Sequence, residues 1–519
     1  MEFRPDVAER ADPYPWSWIA VWFVLITGLV LRVTNLRLLP PFLDETGVLN
    51  AALNYDIHPV MERLFLGKYL GYLFQRPVLE FANDPIWAGR ALSGIFGWLG
   101  AILATYIVRR LAGSRAALVS AVLLALGPQL VFHDRLALPE SLAVFFVAAG
   151  CLAWLVGRQR PRIEYLIVAG AAAACACATK VYTAPVFLLG AVLACEPPGG
   201  WRLLLKRELP YLALGFVVTG VLIILTALDQ TWVGNISFEK LLQMPRMIVG
   251  DSGIMPPFGQ RIANAAGLFS DYLPVTFWVL LASTVLAGAA FRKRTIGCLA
   301  VFGTVFLLYA IVFRAFVATR YFNVLWLPAA IGIGLSAGMP PAISGTALNL
   351  GRAWVSRIQL GLIAIVGLQF AWRDGALLVK PESFPLPPSD YYQYFSGWPS
   401  GRGLDELTAF FESQSLESEK SVLILTLMGF RHGNVSLPIL MRSNPLVRFM
   451  AVWDGNDFAI KKLPAWLRAN RVFVVVEPMG TPVDFSRAQA AGFHSALVFS
   501  APDFEGSPGY RVYELTQMP

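Results

Sequence analysis

Charge is scarce in this chain: only 15% of its 519 residues are Asp, Glu, Lys or Arg, whereas 56% are hydrophobic. A soluble fold of this length could not bury so much apolar surface without extensive assembly. The formal net charge of +8 would suit a nucleic-acid partner, but the basic residues stand in short clusters between apolar runs, as membrane topology requires. The composition therefore predicts a polytopic membrane protein and excludes a nucleic-acid partner.

Histidine and cysteine are also rare, which limits metal and disulfide chemistry. Of the four histidines, only His58 and His133 precede the C-terminal region, and neither belongs to a His-x-x-His or Glu-x-x-His pair. The five cysteines all lie inside apolar runs and are predicted to be small core residues. In Cys175-x-Cys177 the two side chains would point to different faces of a helix. We therefore assign no metal and no cofactor, and a divalent metal has no support in the sequence.

Other familiar signals are missing. The pattern Gly397-x-x-x-Gly401-x-Gly403 lacks the Lys-Ser/Thr ending of a phosphate loop and follows no clear strand. No internal repeat is visible, although many transporters are built from repeated halves. The N-terminus has mixed charges and no small-residue cleavage site, which favours a retained first span over a signal peptide.

Apolar windows are abundant. A helix needs roughly 17 to 25 apolar residues to cross a bilayer, and runs of about this length occur in about eleven places. They are residues 16–33, 86–108, 116–132, 138–156, 163–178, 181–194, 209–228, 273–291, 296–313, 322–338 and 358–372. The fifth and sixth windows are short and are separated only by Thr179-Lys180, which predicts a tight hairpin of tilted helices.

Loop charge predicts the orientation of these spans. If Met1 is cytoplasmic, every inner loop is basic, as the positive-inside rule requires. The inner-loop cations are Arg109, Arg110, Arg115, Arg158, Arg160, Arg162, Arg202, Lys206, Arg207, Arg292, Lys293, Arg294, Arg352 and Arg357. An odd number of spans then puts the C-terminal region outside, together with loops 35–84 and 229–271, whose sequences are typical of helices along the interface.

Composition changes after Lys380, where charge density becomes ordinary. The residue patterns predict strands at 422–426, 471–476 and 496–499, and helices at 405–412 and 486–491. We therefore predict a transmembrane domain at 1–379, with a catalytic outer loop at 35–84 and a second outer loop at 229–271, and an extracytoplasmic α/β domain at 380–519.

Two adjacent acids, Asp44 and Glu45, follow the first apolar window and the Pro40-Pro41 pair, which stops a helix. A charged side chain is energetically costly where water is scarce, so two acids at this position indicate a structural or catalytic role. They either cap the next helix, because an acid near a helix start satisfies unpaired N–H groups, or they act in catalysis.

Polar residues also collect at the outer ends of other predicted spans. An acid or base deep in a membrane helix costs roughly 2.5 to 3.5 kcal/mol, so such residues usually pair or line a wet cavity. The set comprises Arg90, Asp134, Arg135, Glu140, Lys180, Arg320 and Tyr321. Each alone is also typical of a side chain that reaches the interface. Together with Asp44 and Glu45 they predict a mixed-charge site at one leaflet, where cations neutralise a lipid phosphate and a carboxylate accepts a proton.

Several segments together match one family. They are Asp44-Glu45, His133-Asp134-Arg135-Leu136-Ala137-Leu138-Pro139-Glu140-Ser141, Thr179-Lys180-Val181-Tyr182 and Arg320-Tyr321. In this combination residues 16–338 resemble the dolichyl-phosphate-mannose protein mannosyltransferase and aminoarabinose transferase superfamily, glycosyltransferase family 39. The resemblance implies the GT-C fold, a polyprenyl-phosphate-linked sugar donor and inversion at the anomeric carbon on the extracytoplasmic face. The C-terminal region lacks the lumenal trefoil repeats of eukaryotic members, so the likeness is to bacterial, inner-membrane enzymes.

The resemblance also implies roles for the matching residues. Asp44 would be the general base, with Glu45 next to it in the site. Donor-phosphate candidates are Arg135, Lys180, Arg320 and Arg90, and the other site candidates are Asp134, Glu140, His133, Tyr182 and Tyr321. The implied partners are a polyprenyl-phosphate-linked sugar donor, membrane lipids, and an acceptor that is a lipid, a glycan or a protein.

Other functions stay open at this point. A lipid or solute transporter would carry its charges near the midplane rather than at one face. An enzyme that transfers a whole oligosaccharide from a polyprenyl pyrophosphate would have the same composition. A scaffold with a sensing C-terminal domain would leave Asp44 and Arg135 without a task. The stretch 394–403 is either a Gly/Pro-rich interdomain turn or an acceptor contact.

Overall fold

The computed structural model describes residues 15–53, 68–160, 162–194, 204–229, 257–291, 293–312, 319–337, 347–427, 432–452, 457–477, 485–501, 503 and 509–518. The chain forms two compact units. The first, here the helical unit, comprises Met1–Leu36, Asp56–Phe74 and Arg90–Pro387. The second, here the sheet unit, comprises Arg37–Tyr55, Gln75–Gly89 and Pro388–Pro519. Two stretches from the first hundred residues therefore fold with the C-terminal region.

Up to residue 379 the described chain is helical. The α-helices are α1 (Pro15–Val33), α2 (Leu43–Leu53), α3 (Tyr69–Phe81), α4 (Pro85–Ala112), α5 (Ser114–Ala125), α6 (Pro128–Asp134), α7 (Glu140–Gln159), α8 (Ile163–Thr179), α9 (Leu188–Ala194), α10 (Leu209–Asp229), α11 (Phe258–Tyr272), α12 (Val275–Phe291), α13 (Lys293–Val312), α14 (Trp326–Ala337) and α15 (Ala347–Val379). Short 3-10 helices at Leu36–Leu38, Val181–Phe187 and Thr319–Leu325, and a π-helix at Leu204–Glu208, connect some of them.

Several helices have the length and composition of membrane spans. Among the described residues these are Pro85–Ala112, Glu140–Gln159, Leu204–Thr226 and Arg357–Val379. Ser114–Ala125 and Pro128–Asp134 form a further span if the pair, bent by 54°, crosses as one. The bend lies where Pro128 lacks the N–H that would continue the helix. Shorter apolar helices are Ser17–Val33, Ile163–Thr179, Val181–Leu193, Val275–Val285 and Arg294–Tyr309.

The exposed faces of these helices are apolar. Phe23 on α1 is 72% exposed, and Leu225 on α10 is 55% exposed. Such contiguous apolar surface is unfavourable in water but matches lipid. Every predicted apolar window overlaps a helix, so the prediction of a polytopic, helical membrane protein is confirmed.

The sheet unit combines α2 with the C-terminal elements. These are α16 (Pro388–Tyr391), a π-helix (Tyr392–Ser396), a 3-10 helix (Trp398–Ser400), α17 (Leu404–Glu417), β1 (Ser421–Leu427), α18 (His432–Leu440), β2 (Val447–Val452), α19 (Asp457–Ala469), β3 (Asn470–Val476), α20 (Ser486–Ala490), β4 (Phe493–Ser500) and β5 (Arg511–Gln517). The strand order is β2-β1-β3-β5-β4. Strand β1 runs parallel to β2 and β3, whereas β5 pairs antiparallel with β3 and β4.

The interior strand β1 is buried on both faces. Ile424 pairs with Phe449 and Phe473 and packs in a core with Leu407 and Phe411 of α17. Leu423 and its neighbours point to the opposite face, because successive side chains alternate along a strand, and pack there in a second core. A continuous apolar run is typical of a strand covered on both faces. The predicted strands are confirmed as parts of β1, β3 and β4; β2 and β5 were not predicted.

Predictions for two outer segments lie partly outside the described residues. Interfacial helices were expected in loops 35–84 and 229–271, and residues 54–67 and 230–256 are not described. Within the described parts, α2 and α3 occupy the first loop, and α11 occupies the end of the second.

Candidate active site

A buried ion cluster in the helical unit brings together three predicted site residues. Glu140 is the first residue of α7, Lys180 follows the last residue of α8, and Arg320 lies in the 3-10 helix Thr319–Leu325. Lys180 Nζ is 2.9 Å from Glu140 Oε1, and Arg320 Nε is 3.8 Å from the same oxygen. Their side chains are only 3%, 7% and 10% exposed for Glu140, Lys180 and Arg320 respectively. We call this group the Glu140 cluster.

Tyrosine rings form one wall of the Glu140 cluster. Lys180 Nζ lies 5.8 Å from the ring centroids of both Tyr182 and Tyr321, within the range of cation–π attraction. The Arg320 guanidinium is 5.5 Å from the Tyr321 ring. Burial raises the pKa of Tyr321, but the positive charges of Arg320 and Lys180 outweigh burial and hold that pKa below its ordinary value. The cluster is thus dominated by positive charge, and Lys68 is near enough to add to it electrostatically at Glu140.

A hydrogen-bond network fixes the segment that carries Arg320. His133 Nε2 on α6 is 3.0 Å from Thr319 Oγ1, and Gln129 Nε2, one turn earlier on α6, donates to the Thr319 carbonyl at 2.7 Å. Trp326 Nε1 in turn donates to Gln129 Oε1 at 3.0 Å. His133 therefore helps to hold the segment that carries Arg320, because its ring nitrogen contacts Thr319, the residue that precedes Arg320.

Asp134 belongs to a second buried group. Arg32 Nε, at the end of α1, pairs with Asp134 Oδ2 at 2.8 Å, and Ser141 Oγ donates to Asp134 Oδ1 at 2.5 Å. The other Arg32 donors reach the carbonyls of Leu124 and Ala125 on α5. Because each partner of this pair is buried, loss of either would leave an uncompensated charge. We call this group the Arg32 cluster.

Arg135 and Arg90 hold the segment that directly follows α1. Arg135 donates to the carbonyls of Thr34 at 2.8 Å and Asn35 at 3.1 Å, while Arg90 donates to the carbonyl of Leu36 at 2.6 Å. These charge-assisted hydrogen bonds fix the backbone that leads out of α1. Burial, and then the charge of Arg90, lower the pKa of Arg135 to about 10, with Asp374 acting in the opposite direction. Arg135 therefore stays cationic at neutral pH.

The predicted acid pair lies in the sheet unit, in the first turn of α2. Asp44 is partly exposed, whereas Glu45 is fully buried. Glu45 Oε2 accepts the N–H of Phe42 at 3.3 Å. An acid at the third helical position that reaches back to the residue before the helix is half of a capping box. Glu45 therefore caps its own helix, as one of the two alternatives for the acid pair predicted. The catalytic role of Asp44 stays a prediction.

Sequence reasoning missed several residues of this architecture. Arg32 stands inside the first apolar window, and a charge there was itself a signal. Asp374, just past the last window, is buried and faces positive charge from Arg32, Arg135 and Arg373. Nothing in the sequence marks Gln129 as a partner, because its contacts join residues almost two hundred positions apart. Within the described chain, no group of three or more His, Cys, Asp and Glu is arranged to hold a metal ion.

The described chain thus combines a helical unit that has buried cations at its helix ends with a small α/β sheet unit. The family described as Dolichyl-phosphate-mannose-protein mannosyltransferase matches residues 52–241 of this chain. No curated relative matches the sequence.

Solved structures share the fold over nearly the whole chain. ArnT from Cupriavidus metallidurans bound to undecaprenyl phosphate superposes with a TM-score of 0.64 at 13% identity, covering 97% of this chain and 98% of ArnT. The apo form of ArnT gives a TM-score of 0.61 at 14% identity, with 96% and 97% covered. The family match covers less than half of the chain, and the solved structures show that this chain has the fold of ArnT. Both findings agree with the resemblance seen in the sequence.

Proposed function

We propose that this enzyme transfers a sugar from a polyprenyl-phosphate donor to an acceptor hydroxyl, with inversion, on the extracytoplasmic face of a bacterial inner membrane. The observation that carries the proposal is the Glu140 cluster, in which Lys180 and Arg320 share a single carboxylate in a nearly buried setting. The fold shared with ArnT, a protein crystallised with undecaprenyl phosphate, supports the choice of lipid.

The Glu140 cluster suits a phosphate leaving group. A lysine and an arginine that converge in a poorly solvated place stabilise developing negative charge more strongly than they would in water. Glu140 keeps the two cations together while no donor is bound, and the tyrosine rings limit access of water. In the proposed reaction Lys180 and Arg320 bind the oxygens of the lipid phosphate.

The chemical step is a direct displacement. The acceptor oxygen attacks the anomeric carbon, the bond from that carbon to the phosphate oxygen breaks, and the polyprenyl phosphate leaves with the electron pair. The acceptor proton goes to the carboxylate of Asp44, which is partly exposed and is the residue to which the family resemblance assigns the role of general base. One base suffices for inversion, because no covalent sugar intermediate forms.

The orientation follows from loop charge. The basic inner loops place the N-terminus in the cytoplasm, so the Asp44 segment lies on the extracytoplasmic side. The proposal keeps the predicted division into a transmembrane domain, 1–379, and an extracytoplasmic domain, 380–519. In addition, α2 folds with the C-terminal, extracytoplasmic domain.

The decisive experiment measures transfer of labelled sugar from polyprenyl-phosphate donors by purified protein in liposomes, with lipid, glycan and protein acceptors. Asp44→Asn should lower kcat by roughly 10²- to 10⁴-fold, the range that general base catalysis contributes, while donor binding is kept. The matched control is Asp405→Asn, because Asp405 is the second residue of α17 as Asp44 is of α2. Arg320→Ala should weaken donor binding.

Other outcomes would reject the proposal. Full transfer by Asp44→Asn would show that Asp44 is not the general base. Transfer only from pyrophosphate-linked oligosaccharides would favour the oligosaccharide transferase alternative. Movement of lipid across the bilayer without transfer would favour a transporter.

A further inference from the structure

The sheet unit contains a buried polar chain that ends on the helix of Asp44. Helix α2 packs against α18, and Thr46, two residues after Asp44, approaches Ser436 of α18 with an Oγ1–Oγ distance of 2.6 Å. Ser436 Oγ is in turn 2.7 Å from Nδ1 of His432. All three side chains are at least 99% buried, so each hydroxyl depends on these partners.

The same contacts reach the backbone of the first turn of α2. Thr46 Oγ1 lies 3.0 Å from the carbonyl oxygen of Leu43 and 3.3 Å from that of Phe42. A hydroxyl can donate one hydrogen bond and accept others, so Thr46 links Ser436 to this turn whichever of the two hydroxyls donates.

Helix α18 is itself anchored to the sheet. Glu477 directly follows β3, and its two carboxylate oxygens accept the backbone N–H groups of His432 at 3.2 Å and Gly433 at 2.9 Å. An acid at the start of a helix satisfies free donors and complements the helix dipole. The first turn of α2 is therefore tied, through α18 and Glu477, to the end of a central strand.

A second contact holds the backbone just before α2. Gly401 has φ of +69°, and a Cβ atom there would lie 2.0 Å from the carbonyl oxygen of Pro41. The Tyr394 ring packs edge-on against Phe42, with centroids 4.7 Å apart. The stretch 394–403, which the sequence left without a role, thus contacts the residues that lead into Asp44.

We propose that the C-terminal part of the sheet unit positions the catalytic base: Ser436, His432 and the stretch 394–403 hold the first turn of α2 and so fix the orientation of the Asp44 carboxylate. This inference rests on the proposed role of Asp44. A misplacement of about 1 Å at a reacting group can cost about 100-fold in rate, so such support matters for kcat and not for donor affinity.

The test uses full-length purified protein in liposomes and two matched pairs of variants. Thr46→Val removes the hydroxyl at nearly constant volume, and Thr46→Ser restores it. Gly401→Ala adds a methyl group against Pro41. Its control is Gly492→Ala, because Gly492 also has a positive φ, +86°, but a Cβ there meets nothing within 4 Å. Thr408→Val, which removes a hydroxyl bonded to the Leu404 carbonyl on α17, controls for general loss of stability.

Hydrogen–deuterium exchange gives the first readout, because it requires no activity. Amides of residues 43–49 should exchange faster in Thr46→Val and Gly401→Ala than in wild type, Thr46→Ser, Gly492→Ala or Thr408→Val. In the transfer assay, Thr46→Val and Gly401→Ala should lower kcat about 10- to 100-fold with unchanged donor KM, and Thr46→Ser should recover most of it.

Each contrary result is distinct. Unchanged exchange in α2 would show that these contacts do not hold the helix. Faster exchange with wild-type kcat would show that the orientation of α2 does not limit transfer. Equal kcat losses in the target and control variants would show that these contacts affect only the general stability of the protein and do not position Asp44. If wild type transfers no sugar while amides of α2 exchange faster in Thr46→Val and Gly401→Ala, that result would reject the proposed reaction but would support the role of these contacts in holding α2.

Discussion

The helical unit contains two buried charge clusters that differ in what holds their cations. Arg32 of the Arg32 cluster, and Arg135, which follows Asp134 in the chain, direct most of their donors to backbone carbonyls. In the Glu140 cluster, Lys180 and Arg320 are held by one carboxylate and by tyrosine rings. A backbone carbonyl cannot be displaced without breaking the fold, whereas a side-chain contact can rearrange around an incoming anion. On the proposed function, this difference predicts that the Arg32 cluster mainly stabilises the fold and that the Glu140 cluster binds the lipid phosphate.

The largest expected effect is on stability. Arg32→Met should leave Asp134 buried without its cation, a loss that typically costs about 3 to 5 kcal/mol. We expect a low folded yield and a strongly lowered Tm, measured by thermal unfolding of purified protein. The double variant Arg32→Met, Asp134→Asn should recover part of the loss, because the remaining amide is neutral. A wild-type Tm for Arg32→Met would show that the Arg32 cluster does not stabilise the fold, contrary to the comparison above.

The next effect is on activity. Lys180→Met should reduce kcat/KM for the lipid donor about 10²- to 10³-fold, as when one preorganised charge-stabilising group is removed. The loss of stability should be smaller than for Arg32→Met, because Arg320 still faces Glu140. Lys206→Met, at an exposed lysine, is the control and should transfer normally. If Lys180→Met does not fold, Lys180 is required for stability, as Arg32 is expected to be.

A glycine tests how tightly the Arg32 cluster is packed. A Cβ at Gly97 would lie 2.2 Å from Asp134 Oδ2, and Asp134 cannot move away because Arg32 and Ser141 hold it. Gly97→Ala should therefore cost about 1 to 3 kcal/mol, as overpacking usually does. The control is Gly361→Ala, where a Cβ meets nothing within 4 Å. Similar Tm values for the two variants would mean that Asp134 has room to shift.

The smallest effect concerns the network behind Arg320. Thr319→Val removes the partner of His133 and should weaken donor binding about fivefold, which corresponds to about 1 kcal/mol for one hydrogen bond. Thr284→Val is the control, since Thr284 is equally buried and bonds only within its own helix α12 at 2.8 Å to Leu280. Equal donor KM values in both variants would show that His133 has no influence on Arg320.

The sequence predicted most of the helices and three strands, because period and length report local structure directly. It grouped Glu140, Lys180 and Arg320 correctly, since a membrane concentrates costly charges at the few places that tolerate them. It did not separate this group from Arg135, Arg90 and Asp134. All of these residues are polar groups at span ends, and only their contacts distinguish a cation held by carbonyls from one held by a carboxylate.

The sequence alone determined that this protein crosses a membrane many times, that its charges gather at span ends, and that a small α/β region follows residue 380. These properties depend on composition and on contacts between residues close in the chain. Only the tertiary structure decided that α2 folds with the C-terminal sheet and that Ser436 lies against Thr46. Such pairings join segments hundreds of residues apart, and packing selects them from many alternatives that the local sequence permits equally well.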